Sequence, residues 1–208
     1  MIGLPRLYAI ADASFGDPVR LSTQLFEGGA TLIQLRNKEA AANAILAQAE
    51  AIKKNAPAGA VIVINDRADI ALISRASGVH IGQGDLPPEL ARRVLGRERL
   101  VGLSTHSESQ ALHADQLPVD YIAFGPIFST STKRNSQPPV GLERLSEVCR
   151  LVRKPVVAIG GITLESALDV LAAGAQSVAV ISDILRAPDV AARTSKFVCK
   201  LIDHGAGA

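Results

Sequence analysis

The segment that decides the fold reads Asp120-Tyr121-Ile122-Ala123-Phe124-Gly125-Pro126-Ile127-Phe128-Ser129-Thr130-Ser131-Thr132-Lys133. Its first part is an apolar run typical of a buried strand, and its second part is a hydroxyl-rich loop that ends in a lysine. About a dozen irregular residues then separate the strand from the next helix, a length typical of functional or disordered loops. Hydroxyl groups and a cation suit the oxygens of a phosphate. The alternative is a solvated loop whose Ser and Thr residues only form turns.

The same alternation of apolar strand and helix is repeated on both sides of this segment. Strands are predicted at 7–12, 31–36, 60–66, 78–83, 100–104, 121–125, 155–161 and 177–182, and helices at 19–27, 39–55, 68–75, 88–95, 108–115, 142–152, 164–173 and 190–202. Near-continuous apolar strands indicate a parallel sheet covered by helices. Eight such units predict an α/β protein with a single (β/α)8 TIM barrel over residues 1–208, with a tail that frays from about 204. A doubly wound open sheet is the alternative.

Composition excludes several classes of protein. A chain of 208 residues with 48% hydrophobic and 20% charged residues has enough apolar side chains for one packed core. The formal charge is only +2 and Trp is absent, so we expect no nucleic-acid partner. Cys149 and Cys199 form no CxxC pattern, no secretory layout precedes the first strand, and no apolar stretch reaches the ~18 residues that span a bilayer. We therefore expect a soluble, cytoplasmic protein without a membrane partner. The sequence does not indicate an oligomeric state.

Residues that can bind anions or metals, through a polar side chain or a glycine backbone, follow almost every predicted strand at its carboxyl end. They are Arg36, Lys38, Asn65, Asp66, Gln83, Asp85, Ser104, Lys133, Gly160, Gly161 and Ser182. In a (β/α)8 barrel the carboxyl ends of all strands meet on one face, which carries the active site. The sequence therefore predicts one site at this face.

The second strand brings two cations to the site. Gln34, Arg36 and Lys38 alternate along an extended chain, so they share one side while Leu35 takes the other. Two cations this close repel each other and are costly to desolvate unless a polyanion joins them. A bound polyanion is therefore predicted, and the alternative is a solvated pair at a strand exit.

Asp66 and Asp85 end neighbouring strands and are predicted to share a site for Mg²⁺. This hard cation prefers one or two carboxylates together with waters and substrate phosphate oxygens. The alternative for Asp66 is that it caps the helix that begins near residue 68.

Two small polar turns predict a phosphate site. Gly160-Gly161 follows the seventh strand and Ile181-Ser182 follows the eighth, where barrels of this class commonly bind phosphate through backbone N–H groups. The histidines are weaker candidates. His80 lies inside a strand and is interpreted as structural, whereas His106 follows the fifth strand near the mouth and is a possible base. No zinc spacing and no Ser/His/Asp arrangement is evident.

Taken together, these segments resemble the thiamine-phosphate synthase family from residue 7 to about 185. The resemblance is carried by Gln34 to Lys38, Ile64-Asn65-Asp66-Arg67, 78–85, 125–133, 158–162 and Val180-Ile181-Ser182. It implies a transferase that joins hydroxymethylpyrimidine diphosphate to a thiazole phosphate, giving thiamine phosphate and diphosphate. By resemblance, the pyrimidine diphosphate is held by Gln34, Arg36, Lys38, Asn65, Ser104 and Lys133, and Mg²⁺ by Asp66 and Asp85. The thiazole phosphate is held by Thr130, Ser131, Thr132, Gly161, Ile181 and Ser182, with Gly160 as a further candidate.

The residues suit this chemistry. Departure of diphosphate from an electron-rich pyrimidine methylene leaves a stabilised cation, so catalysis rests on the charge of the leaving group rather than on a base. Arg36, Lys38, Ser104 and Lys133 are the residues expected to act in catalysis. Two alternatives stay open: a thiazole tautomerase of the same barrel family, and a non-catalytic sensor of a phosphorylated ligand. Tautomerase relatives carry a histidine at the strand end where this chain has Gly125-Pro126.

Overall fold

Eight parallel strands form a closed barrel within residues 4–130 and 138–202, the parts of the chain that the computed structural model describes. The strands are β1 (Leu7–Asp12), β2 (Leu32–Arg36), β3 (Val61–Asn65), β4 (Gly78–Ile81), β5 (Leu100–Thr105), β6 (Tyr121–Phe124), β7 (Val156–Ile159) and β8 (Ser177–Val180). Each strand pairs with the next, and β1 pairs with β8 through Leu7 with Val178 and Ala9 with Val180. The predicted (β/α)8 barrel is confirmed. An open doubly wound sheet is excluded because its first and last strands would not pair.

Helices alternate with the strands as predicted. They are α1 (Pro18–Glu27), α2 (Ala42–Asn55), α3 (Ala68–Ile73), α4 (Pro88–Leu95), α5 (Glu108–Gln116), α6 (Gly141–Leu151), α7 (Ala167–Ala172), α8 (Ser182–Leu185) and α9 (Val190–Ile202), with a short 3₁₀ helix at Ala13–Phe15. Two of these elements, the 3₁₀ helix and α8, were not predicted. The expected strand at 177–182 stops at Val180, and Ser182 instead begins α8. The tail expected to fray from about 204 lies outside the described residues.

Local sequence explains where the first helix begins and ends. Asp17 accepts hydrogen bonds from the backbone N–H groups of Val19 and Arg20, and Pro18 occupies the first turn, where its missing N–H costs nothing. The helix ends at Glu27, and Gly28 follows it. A Cβ there would lie 2.5 Å from the Ala191 carbonyl oxygen, so only glycine lets α1 approach α9 so closely.

The core has an outer part and an inner part. The outer part lies between the strands and the helices and includes fully buried side chains such as Leu25, Ile33 and Leu35. Each fully buried side chain of this size contributes about 1.5–3 kcal/mol. The inner part lies inside the barrel and contains the polar side chains of Gln34 and His80, both buried. Because buried polar groups are normally hydrogen-bonded, we expect the interior of the barrel to supply hydrogen-bond partners for these two side chains.

Candidate active site at the carboxyl ends of the strands

A narrow cavity of 60 Å³ opens at the carboxyl ends of the strands, where the sequence predicts a site. Its lining brings together eight of the predicted site residues: Gln34, Arg36, Lys38, Asn65, Asp66, Asp85, Ser104 and Ile181. Residues from five strands or their ends therefore meet at one place, as the closed barrel requires. Ile181 was expected on the thiazole phosphate and instead lines this first cavity.

Each cation of the second strand has its own carboxylate partner. Arg36 donates a short charge-assisted hydrogen bond to Asp12, which ends β1 and is only 2% exposed. Lys38 Nζ lies 3.1 Å from Asp66 Oδ2. The repulsion expected between the two cations is therefore offset by protein carboxylates. Sequence reasoning missed Asp12 as a site residue, although the acid at the end of the first strand was visible.

Asp66 and Asp85 line the same cavity. Burial, followed by the hydrogen bond from Asp85, raises the pKa of Asp66, and Lys38 only partly opposes this. Asp85 also accepts a 2.7 Å hydrogen bond from the backbone N–H of Gly82. Two adjacent carboxylates repel each other when both are ionised, and a bound divalent cation offsets this repulsion. Mg²⁺ prefers oxygen ligands of this kind, so the residues fit Mg²⁺.

Asp66 does not cap a helix. The residue that precedes α3 is Arg67, which makes no side-chain capping bond, and Asp66 itself has φ +63°. This left-handed conformation is uncommon outside glycine and clusters at functional positions. Among the described residues no group of three or more His, Cys, Asp and Glu side chains is placed to hold a metal.

A buried chain of hydrogen bonds crosses the barrel below the cavity. Gln34 Nε2 donates to the hydroxyl of Tyr8 at 2.9 Å, and the Tyr8 and Tyr121 hydroxyls lie 3.0 Å apart. His80 Nδ1 lies 3.0 Å from the Tyr121 hydroxyl, and its Nε2 lies 2.8 Å from Ser104 Oγ. The structural interpretation of His80 is consistent with these bonds. Both tyrosines were missed, because inside apolar strands they read as core residues.

A second, wider cavity of 740 Å³ lies beside β7 and β8. The predicted residues Thr130, Gly161 and Ser182 line it, together with three cations that sequence reasoning missed: Arg186, Arg193 and Lys196. Arg193 binds both carboxylate oxygens of Asp183 at 3.0 Å, a bidentate pair that fixes the guanidinium. A basic wall beside small polar turns can bind a phosphate.

The two glycines after β7 have different positions. Gly161 lines the second cavity, whereas Gly160 packs against the β6 loop, where a Cβ would lie 2.5 Å from Pro126 Cα. Gly160 does not line either cavity within the described part of the chain. Ser131, Thr132 and Lys133 lie outside the described residues, so the structure says nothing of their predicted roles.

His106, the alternative base, points away from the first cavity. Its Nδ1 lies 2.7 Å from the carbonyl oxygen of Gly125, and its backbone N–H donates to Gln110. The side chain lines a different cavity, beside Ser107 and Arg144. The described geometry therefore offers His106 no direct contact with the carboxylates or cations of the mouth.

No helix in the described ranges is both long and apolar enough to cross a membrane.

The closed barrel and the charged mouth define the class of the protein as a (β/α)8-barrel enzyme. The family model described as thiamine monophosphate synthase matches residues 7–184. The chain therefore belongs to the thiamine monophosphate synthase family.

Individual relatives agree with this family. The thiamine-phosphate synthase of Koribacter versatilis (strain Ellin345) is 50% identical over 202 residues, covering 94% of this chain and 95% of the relative. The thiamine-phosphate synthase of Chlorobium phaeovibrioides is 44% identical and covers 89% of this chain and 88% of the relative. The solved structure of a thiamine phosphate pyrophosphorylase from Pyrococcus furiosus superposes with a TM-score of 0.88 at 32% identity, covering 96% of each chain. A 3-hexulose-6-phosphate synthase, 17% identical with a TM-score of 0.72, shares the fold alone.

Proposed function

We propose that this barrel joins hydroxymethylpyrimidine diphosphate to a thiazole phosphate, releasing diphosphate and forming thiamine phosphate. The chain is a thiamine-phosphate synthase by family and hence a transferase. The observation that carries the assignment to this site is the convergence of Arg36, Lys38, Asp66, Asp85 and Ser104 on one cavity. Cations, paired acids and a hydroxyl are the groups that a diphosphate and its metal require.

The charge of the leaving group is the main chemical demand on the protein. The bond between the pyrimidine methylene carbon and the diphosphate oxygen breaks, and its electron pair leaves with the diphosphate. The lone pair of the thiazole nitrogen then forms the new bond to that carbon. Arg36 and Lys38 stand where they can bind the diphosphate as its negative charge grows, which lowers the barrier through transition-state stabilisation.

The metal belongs with the paired acids. We assign Mg²⁺ to Asp66 and Asp85, where it supplies positive charge to the diphosphate when bound. Lys38 is paired with Asp66 at 3.1 Å, so the cation of Lys38 is already oriented toward the same place. Asn65 lines the same cavity and is assigned to the pyrimidine diphosphate together with Gln34 and Ser104.

The second cavity is assigned to the thiazole phosphate. Gly161, Ser182 and Thr130 line it, and the pinned guanidinium of Arg193 lies on the same cavity. With the two substrates held in these two cavities, the thiazole nitrogen is placed in line with the pyrimidine methylene. The reaction then proceeds between two bound and oriented groups and needs no further bimolecular encounter. Ser131 and Thr132 are assigned to this ligand and Lys133 to the diphosphate on sequence alone.

One assay tests the function. The protein is mixed with both substrates and Mg²⁺, and thiamine phosphate and diphosphate are measured together. We expect equal amounts of the two products, and no isomerisation of the thiazole when the pyrimidine is omitted. Metal-independent isomerisation without diphosphate would instead identify the tautomerase, and binding of both ligands without turnover would identify the sensor.

Two pairs of variants test the assignment of residues. Asp66→Ala should lower turnover at least about 100-fold at limiting Mg²⁺, whereas Asp69→Ala, a nearby exposed acid paired with Arg67, should leave it unchanged. Lys133→Ala should lower kcat, and Thr132→Ala should raise the KM for the thiazole phosphate. Full activity of Asp66→Ala at limiting Mg²⁺ would place the metal elsewhere, and the reverse pattern at 132 and 133 would exchange the two ligands.

A further inference from the structure

The hydrogen-bond chain beside the cavity joins Gln34 to Ser104 through three aromatic residues, of which Tyr8 and His80 also line the cavity and Tyr121 does not. Gln34 and Ser104 line the cavity, and Tyr8, Tyr121 and His80 connect them. Both tyrosines are 1% exposed, Gln34 is 3% exposed and His80 is 7% exposed. Groups this deeply buried must satisfy each other, because water is not at hand to replace a missing partner.

With Gln34 Nε2 as the donor to Tyr8, proton counting gives the chain a single direction. A phenol has one proton, and the Tyr8 oxygen already accepts from Gln34 Nε2, so the Tyr8 proton goes to the Tyr121 oxygen. The opposite choice would leave a buried hydroxyl proton with no acceptor, at a cost of about 1–3 kcal/mol. The Tyr121 proton then goes to Nδ1 of His80, which must accept it.

The same counting fixes the tautomer of His80. A neutral imidazole that accepts at Nδ1 carries its proton on Nε2, and this nitrogen donates to Ser104 Oγ. Ser104 therefore accepts from inside the barrel and keeps its own proton for the cavity. At the other end, Gln34 uses one N–H on Tyr8 and keeps its carbonyl oxygen and second N–H for other partners.

The environment of the phenols supports this chain. Burial raises the pKa of Tyr8 and of Tyr121 above the usual range of a tyrosine, so both remain protonated donors at any pH of interest. The Tyr121 ring stacks on His80 with centroids 5.6 Å apart and an interplanar angle of 20°. Gly102 makes room for this ring, since a Cβ there would lie 2.0 Å from Tyr121 Cζ.

We propose that Tyr8 and Tyr121 are positioning residues that fix the amide of Gln34 and the tautomer of His80, so that Ser104 presents a proton to the ligand. A ligand that fits these groups is a heteroaromatic ring. Its acceptor nitrogen would face Ser104, and an adjacent donor and acceptor would face Gln34. Identifying that ring as the aminopyrimidine rests on the proposed function. The tautomer of His80 is independent of the proposed function.

The tautomer is tested without any substrate. In ¹⁵N NMR spectra of histidine-labelled protein, His80 (assigned by its loss in His80→Gln) should show the tautomer protonated at Nε2. Tyr121→Phe removes the donor to Nδ1 and should shift His80 toward a mixture of tautomers. Thr105→Val is the matched control, because it removes a buried hydroxyl of β5, next to Ser104, that donates to the Ala123 carbonyl oxygen. His80 protonated at Nδ1 in the unmodified protein would overturn the proposal.

Kinetics test the positioning role. Tyr8→Phe and Tyr121→Phe should each raise the KM for the pyrimidine diphosphate about tenfold, the effect of one net hydrogen bond. The KM for the thiazole phosphate should stay within about twofold, and Thr105→Val should change neither constant. If Tyr121→Phe does not fold, Tyr8→Phe still tests the positioning role. Unchanged KM values in a folded Tyr8→Phe variant would refute positioning. Absence of turnover in the unmodified protein would refute the proposed function and leave the tautomer to be judged by NMR.

Discussion

At the scale of single residues, the mouth of the barrel is a set of matched charges. Arg36 is paired with Asp12, and Lys38 with Asp66, so neither of these two cations is unpaired before a ligand binds. Matching of this kind holds long side chains in place and lowers the ordering cost when a polyanion binds.

The Arg36–Asp12 pair should be needed for stability as well as for binding. Removing one partner of a buried pair leaves the other charge uncompensated and typically costs about 3–5 kcal/mol. We expect Asp12→Asn to lower the free energy of unfolding by this amount in urea titrations. Asp12 also caps the short 3₁₀ helix, where it accepts from the backbone N–H of Ser14. Asp17→Asn is the control, since this exposed acid caps α1 but forms no ion pair within the described residues, and its loss should cost no more than about 1 kcal/mol. Equal losses in both variants would show that capping, not the ion pair, accounts for Asp12.

Asp66 should reduce stability in the absence of metal. Because its pKa is raised in the folded protein, the stability associated with this group is fully present below the usual carboxyl pKa and is lost as pH rises through the folded value. At neutral pH, without Mg²⁺, Asp66→Asn should therefore raise Tm, and asparagine tolerates φ +63° at least as well. Thermal melts with and without Mg²⁺ measure this. A lower Tm in Asp66→Asn would mean that the Lys38 pair outweighs burial.

At the scale of elements, the turn after β7 sets the boundary between the two cavities. Gly160 and Gly161 have φ +103° and +65°, and both press against the loop that follows β6. The predicted strand at 155–161 ends at Ile159 for this reason, since these two residues leave the extended conformation.

Gly161→Ala should disturb this boundary. A Cβ would lie 2.6 Å from the Ser129 carbonyl oxygen and 2.8 Å from Phe128 Cβ, so the β6 loop must move. We expect a higher KM for the thiazole phosphate and a loss of stability beyond the 1–3 kcal/mol or so of backbone strain alone. Gly59→Ala provides the strain-only control, with φ +80° and no atom within 4 Å of a Cβ. Equal losses of stability in Gly161→Ala and Gly59→Ala would show that the contact with the β6 loop plays no part.

At the scale of the whole molecule, the two ends of the barrel have different tasks. The carboxyl end carries the charged mouth, whereas the opposite end is tied together by Asp115 of α5. Its carboxylate accepts from the backbone N–H groups of Arg153 and Lys154, which precede β7. In barrels of this class such contacts serve stability rather than chemistry.

Asp115 should contribute stability that depends on pH. Burial alone would raise its pKa, but the hydrogen bonds from Lys154 and Arg153 outweigh burial and bring the pKa below the usual value. Its contribution is therefore present above the unfolded pKa of about 3.9 and is lost as pH falls through the folded pKa. Asp115→Asn should be less stable than the unmodified protein at pH 7, and the difference in Tm should shrink below about pH 4. A difference that stays constant with pH would exclude this linkage, and activity per folded molecule should be unchanged at pH 7.

Much of the architecture and part of the site could be predicted from periodicity and position. Apolar strands separated by helical segments predicted the barrel, and the polar ends of those strands predicted residues that do meet, among them Arg36, Asp66 and Ser104. These predictions succeed because alternation along a strand and the common direction of parallel strands are local properties. Element ends were less accurate. The short helix α8 was missed, since four residues carry too little periodicity to be recognised.

By itself the sequence determined the barrel, the end of it that carries polar groups, and the family. Only the tertiary structure decided which groups face one another: Arg36 with Asp12, Arg193 with Asp183, and Tyr8 with Tyr121. The two tyrosines are 113 residues apart along the chain. Their hydroxyls meet because closure of the sheet brings strands β1 and β6 across the same interior, whereas a local apolar pattern shows only that each residue is buried.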